Sequence, residues 1–124
     1  MDEPRTFSEL LEWQWSDYAD KHRNHNNLLI HIVAVPLFWI GAMNFLGAFL
    51  FRGALFSIGG LLLMGISVFL QGKGHEMERA EPAPFKGAMD FVQRILAEQF
   101  ITFPRFVLTG GWWKNLQAPS SAQP

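Results

Sequence analysis

A chain of 124 residues suffices for one domain with an adequate core and leaves no room for a second. A net charge of -1 and a pI near 6.4 leave no basic footprint, so nucleic acid is not expected as a partner. Cysteine is absent, which excludes disulfides, thiolate metal sites and cysteine nucleophiles and leaves histidine, carboxylate and amide groups as metal ligands.

Residues 7–22 carry apolar or aromatic side chains at 7, 10, 11, 13, 15 and 18, a helical pattern, with Ser8 as the candidate N-cap. This helix is expected to lie along a membrane surface with its tryptophans at headgroup level. No apolar run of the signal-peptide kind lies in the first 27 residues, so the start reads as mature and cytosolic. The string RNHNN at 23–27 offers side chains that compete for backbone hydrogen bonds and should break the helix, with Asn27 capping the next one.

Between residues 28 and 70 only Arg52 is charged. At about 1.5 Å per residue, 28–51 is long enough to cross a hydrocarbon core of about 30 Å. Arg52 and Gly53 make a turn, and 54–70 supplies a second, shorter span whose Gly59, Gly60, Gly65 and Ser67 permit close helix approach. An all-apolar helix can instead be the core of a soluble protein, but a chain this small lacks the helices to wrap two of them. Nine of the ten lysines and arginines flank the hairpin, which places both termini in the cytoplasm. The fold class read from this pattern is all-α: a small helical membrane protein with a transmembrane hairpin flanked by amphipathic helices.

Beyond the hairpin, Gly72 and Gly74 are expected to end the second span, and Pro82 and Pro84 to delay the next helix. Residues 85–103 then read as amphipathic, with Met89, Val92, Leu96 and Phe103 on one side. Asp90, Arg94 and Glu98 form i,i+4 pairs of opposite charge, the pattern of a solvated face. Pro104 should interrupt this helix, and 106–113 is expected to dip back toward the bilayer with Trp112 and Trp113 as belt residues. The single domain runs over 1–117, and 118–124 reads as a disordered tail.

Four histidines punctuate the chain: His22, His25, His31 and His75. Because a hairpin enters and leaves the bilayer at one face, His31 and His75 come to similar depth. A turn at 23–27 lets His22 fold back toward His31, with Asn24 and Asn27 available to orient the imidazoles from behind. Pro36 frees the carbonyl of Ile32. Glu78 follows His75 by one helical turn, and histidine with carboxylate is the ligand set of open-sided iron(II) or zinc sites. Each residue also has a plainer role: His31 as a hydrogen-bonded bundle residue, His22 and His25 as solvated turn residues, and Glu76, Glu78 and Arg79 as a charged cluster at the membrane surface. His25 points to nothing specific.

The string formed by Tyr18, His22, Asn24, Asn27, His31 and Pro36 resembles the first motif of the Mpo-like membrane proteins, whose yeast member is an iron(II)-dependent 2-hydroxy fatty acid dioxygenase. Gln71, Gly74, His75, Glu78 and Pro82 resemble the second motif, although only Glu76 and Met77 separate His75 from Glu78 where the yeast-type pattern has three residues. The resemblance implies Fe(2+) held by His22, His31 and His75, with Glu78 joining them in catalysis as ligand, base or structural support. It also implies alpha-oxidation, in which molecular oxygen shortens a 2-hydroxy fatty acid by one carbon. Residues 98–113 look like a bacterial branch, so a bacterial inner membrane is the expected location. Arg79 or Arg105 would pair with the substrate carboxylate and Phe38, Trp39 and Phe69 would receive its tail. Membrane lipids and a second copy of the chain are further expected partners. The alternatives are a non-enzymatic membrane scaffold or lipid-interacting protein, and haem held by two histidines.

Overall fold

A computed structural model describes residues 6–119, and among them every regular element is helical. Helix α1 (Phe7–Ser16) leads through a 3-10 turn (Ala19–Lys21) to the long pair α2 (His25–Phe51) and α3 (Ala54–His75). A loop then precedes α4 (Ala88–Ala97), a π-helical turn (Glu98–Thr102), α5 (Phe103–Leu108) and α6 (Gly111–Leu116). The tail expected at 118–124 falls outside the described residues from 120 onward.

Local signals displaced several expected boundaries. Thr6, not Ser8, caps α1: its hydroxyl accepts from Glu9 N–H at 3.2 Å while Glu9 accepts from Thr6 N–H at 2.9 Å, a reciprocal box that satisfies two otherwise unpaired donors. Asn24, not Asn27, caps α2, accepting from Asn27 N–H at 3.0 Å, so that helix starts earlier than the apolar run does. Helix α3 continues through Gly72 and Gly74 to His75. Glycine costs only about 1 kcal/mol within a helix, and side-chain ties at Gln71 and close packing at Gly74 outweigh that. Pro104 does not break the third helical stretch. It sits in the first turn of α5, where its missing N–H is tolerated, and the turn just before it widens into π geometry.

Helices α2 and α3 are each long and apolar enough to cross a membrane, and only 33% and 22% of their most apolar windows are buried within the protein. Ile40, Met43, Leu50, Leu55, Leu62 and Phe69 all face outward. The helices pack backbone to backbone at Gly60, where an added Cβ would collide with the Gly41 carbonyl and the backbone of Phe45. Ser67 ties the pair further along by donating to the Ala34 carbonyl. Gly60→Ala is therefore expected to destabilise the protein by about 2 kcal/mol, since backbone must move, despite the gain in helix propensity. Gly65→Ala, which meets open space, should be neutral or stabilising, and parallel melting curves in detergent distinguish the two.

The protein core lies at the end of the hairpin where the chain enters and leaves. Tyr18, Leu28, Val35, Phe103 and Phe106 pack together with Trp15, Ile32, Trp39 and Trp112 against them. Polar tips on these aromatics fix the C-terminal helices in place: Trp39 Nε1 donates to Gln99 O at 2.7 Å and Trp112 Nε1 to Leu28 O at 2.9 Å. Asn115 donates to the carbonyls of Ala19 and His22 at 3.0 and 2.8 Å, strapping α6 over the turn that carries His22.

Candidate metal centre

His22 ends the 3-10 turn, His31 lies in the second turn of α2, and His75 is the last residue of α3. Their ring centroids form a nearly equilateral triangle with sides of 4.9, 4.8 and 4.9 Å, each pair close to perpendicular. Glu98, the first residue of the π turn, closes this group from a fourth direction. Its Oε2 lies 3.5 Å from His22 Nε2 and 3.6 Å from His31 Nε2. One donor atom from each of the four residues falls within 4.8 Å of all the others.

The backbone sets the protonation pattern of two rings. His22 Nδ1 lies 2.7 Å from Tyr18 O and His31 Nδ1 lies 3.0 Å from Asn27 O. A carbonyl only accepts, so both Nδ1 atoms carry a proton, and each Nε2, on the opposite edge of its ring, faces the pocket as the position left for a proton or a metal. His22 Nε2, His31 Nε2 and His75 Nδ1 are buried and have no hydrogen-bond partner. Burying such a polar nitrogen unpaired costs about 1–3 kcal/mol, so three facing one pocket call for a shared occupant.

A metal ion fits that requirement. Ligands about 2.1 Å from one ion stand about 3.4 Å apart in a tetrahedral site and at most about 4.2 Å in any, so closing the observed spread of 4.8 Å asks each side chain to move by up to about 0.7 Å. Three neutral imidazoles with one carboxylate suit a borderline divalent cation such as zinc or iron(II).

Burial opposes ionisation of Glu98, but the facing His22 and His31 outweigh it and hold its carboxyl well below the usual range. Tyr18 supports the carboxylate by donating to its Oε2 at 2.7 Å, and its ring stacks on His22 with centroids 3.8 Å apart. Burial first, then the negative charge of Glu98 and the hydrogen bond to it, pushes the Tyr18 hydroxyl well above its ordinary pKa. The phenol therefore stays a donor at neutral pH, holding Glu98 toward the histidines.

The structure brings His22, His31 and His75 together but places Glu78 elsewhere. Glu78 sits at the N-terminus of α2, accepting from Arg23 N–H and Asn24 N–H at 3.0 Å each and from Asn27 Nδ2 at 2.7 Å. Asn24 and Asn27 serve this helix start rather than touching imidazoles through their side chains; only the Asn27 carbonyl holds His31. Gly74 completes the junction, since a Cβ there would overlap the Asn27 amide. Arg105 lies over the Trp15 ring at 4.1 Å. Neither it nor Arg79 lines the cavity that adjoins the histidines. Phe38 is buried near Phe100, and Phe69 faces outward from α3.

Glu98 was the residue hidden from sequence reasoning, which paired it with Arg94 on a solvated face. Arg94 is instead buried, donating to the carbonyls of Pro84 and Ala83 at 3.0 and 2.8 Å and pairing with Asp90 at 3.3 Å. Released from that pairing, Glu98 points inward beneath α1.

Fold and site together define a helical hairpin protein with a buried histidine and carboxylate pocket at the end where the chain enters and leaves the hairpin. No protein-family model, curated protein or solved structure matches the chain.

Proposed function

We propose that this protein is a membrane-embedded, iron(II)-dependent dioxygenase of 2-hydroxy fatty acids, of the Mpo-like kind, acting by alpha-oxidation at one face of the bilayer. The observation that carries the reading is the convergence of three unpartnered imidazole nitrogens with one carboxylate in a buried pocket. Its support is the pair of sequence strings that supply those histidines, and the two apolar helices that lead to them. In this reading the hairpin spans a bacterial inner membrane with both termini cytoplasmic. His22, His31, His75 and Glu98 hold the metal, which supplies open coordination positions and reducing electrons for reaction with oxygen.

The remaining roles belong to the chain. The carbonyls of Tyr18 and Asn27 hold two imidazoles through Nδ1, so that each turns Nε2 toward the metal position. Tyr18 orients Glu98, and the packed aromatics Phe103 and Phe106 shield the far side from water. An amphiphilic acid reaches the pocket with its head at the cytoplasmic face and its chain among apolar residues.

Elemental analysis of detergent-purified protein prepared without oxygen should find iron near one per chain. Mass spectrometry should then show 2-hydroxy fatty acids converted to acids one carbon shorter once air is admitted. His31→Ala and His75→Ala should lose both metal and oxygen consumption, and full activity in both variants would end the proposal. A Soret band in the purified protein would select haem instead, and negligible metal with no oxygen uptake would leave a scaffold.

A further inference from the structure

A cavity of about 210 Å³ lies beside the metal centre. Tyr18, His22, His75 and Glu98 form one end, and Val68, Phe85, Phe91 and Ile95 contribute its apolar wall. Phe85 and Phe91 are 47% and 38% exposed, so this wall runs out to the protein surface. A chamber with ionisable groups inside and an aromatic and aliphatic approach suits an amphiphile that enters head first.

Two cationic side chains line the chamber, Arg94 and Lys21. Arg94 is already engaged: besides its two carbonyl acceptors and Asp90, its guanidinium lies 5.0 Å from the Trp13 ring and 4.2 Å from the Phe85 ring. It fixes the loop that walls the cavity, with three of its five N–H groups committed to Pro84, Asp90 and Ala83. Lys21 differs in every respect. It adjoins His22 in sequence and lines the same cavity as His75. Its ion-pair partner is Asp17, 3.2 Å away and half exposed. A pair of this kind, one helical turn apart and with its carboxylate half open to solvent, is weak, and an ammonium on a flexible stem turns readily toward a better desolvated anion.

We propose that Lys21 is the specificity-determining residue of this cavity, pairing with the carboxylate of a long-chain acid whose hydrocarbon lies along the Val68, Phe85 and Phe91 wall. The inference rests on the 2-hydroxy fatty acid reading for its ligand class and replaces Arg79 and Arg105 as the partners of the acid.

Calorimetric titration of the full chain in detergent, loaded with iron(II) without oxygen, tests it with 2-hydroxyhexadecanoate and the uncharged 1,2-hexadecanediol as probes. Lys21→Gln should weaken the acid about tenfold or more, leave the diol unchanged and leave the iron content intact. Lys21→Arg should restore the acid, and Asp17→Asn should bind it at least as tightly as the wild type. Acid binding unaffected by Lys21→Gln overturns the proposal, as does an equal loss for acid and diol. Lys21-dependent binding without oxygen consumption supports the carboxylate site while ending the dioxygenase reading. Turnover without dependence on Lys21 does the reverse.

Discussion

Glu98→Gln is expected to lower iron affinity by about 100-fold or more while leaving the helical fold in place. Loss of a group one shell removed from a metal already costs about 10–100-fold, and Glu98 faces the pocket directly at 3.5 and 3.6 Å from two imidazoles. The amide keeps the size of the side chain and an oxygen to accept from Tyr18, so the variant isolates the charge. Without that charge, three neutral imidazoles must hold a divalent cation in a buried site with no compensating anion, an unfavourable arrangement in a medium of low polarity. Equilibrium dialysis against iron(II), with circular dichroism as the control for folding, measures the effect. Iron bound as tightly as in the wild type would remove Glu98 from the centre and leave three histidines alone. Tyr18→Phe offers the graded comparison: the carboxylate remains but loses its orienting donor, so the loss should be smaller.

The histidine cluster was legible because topology, not local geometry, produces it. Two apolar runs joined by Arg52 and Gly53 force a return to the starting face, and that brings His75 to the depth of His31 whatever the details of the helices. The fourth member was not legible, for two physical reasons. Arg94 and Glu98 have the spacing of a surface ion pair, and nothing in their sequence says that two main-chain carbonyls will take the guanidinium instead. The π turn at Glu98–Thr102 also rotates side chains relative to an ideal helix, so the amphipathic pattern read at regular helical spacing loses its register there. Helix starts were misplaced for a related reason. The capping group Asn24 precedes the apolar run by four residues, so that run marks where burial begins rather than where the helix does, while Thr6 stands directly before Phe7, two residues ahead of the Ser8 read as the cap. The string from Gln71 to Pro82 was visible as a unit, yet its residues act by unlike means. Gln71 exchanges hydrogen bonds of 2.9 and 2.8 Å with the Gln99 amide, Gly74 clears space for Asn27, His75 enters the pocket, and Glu78 binds a helix N-terminus.

That last role makes Glu78→Ala the expected large loss of stability. The carboxylate accepts two backbone N–H groups at the start of α2 and the Asn27 amide, from a loop that follows α3. It thereby locks the stretch of chain between His22 and His31 to the end of the helix that carries His75. Removing it strands three donors where solvent reaches poorly and withdraws an anion from the positive end of a long helix dipole, together about 3 kcal/mol. The melting temperature in detergent should fall by on the order of 10 °C. Iron binding should weaken too, but only through loosening of the scaffold, so cooling well below the melting transition should recover most of the affinity. The loss in Glu98→Gln should persist at every temperature because the ligand itself is gone. If Glu78→Ala instead melted with the wild type and lost iron irrecoverably, Glu78 would belong to the metal rather than to the helix.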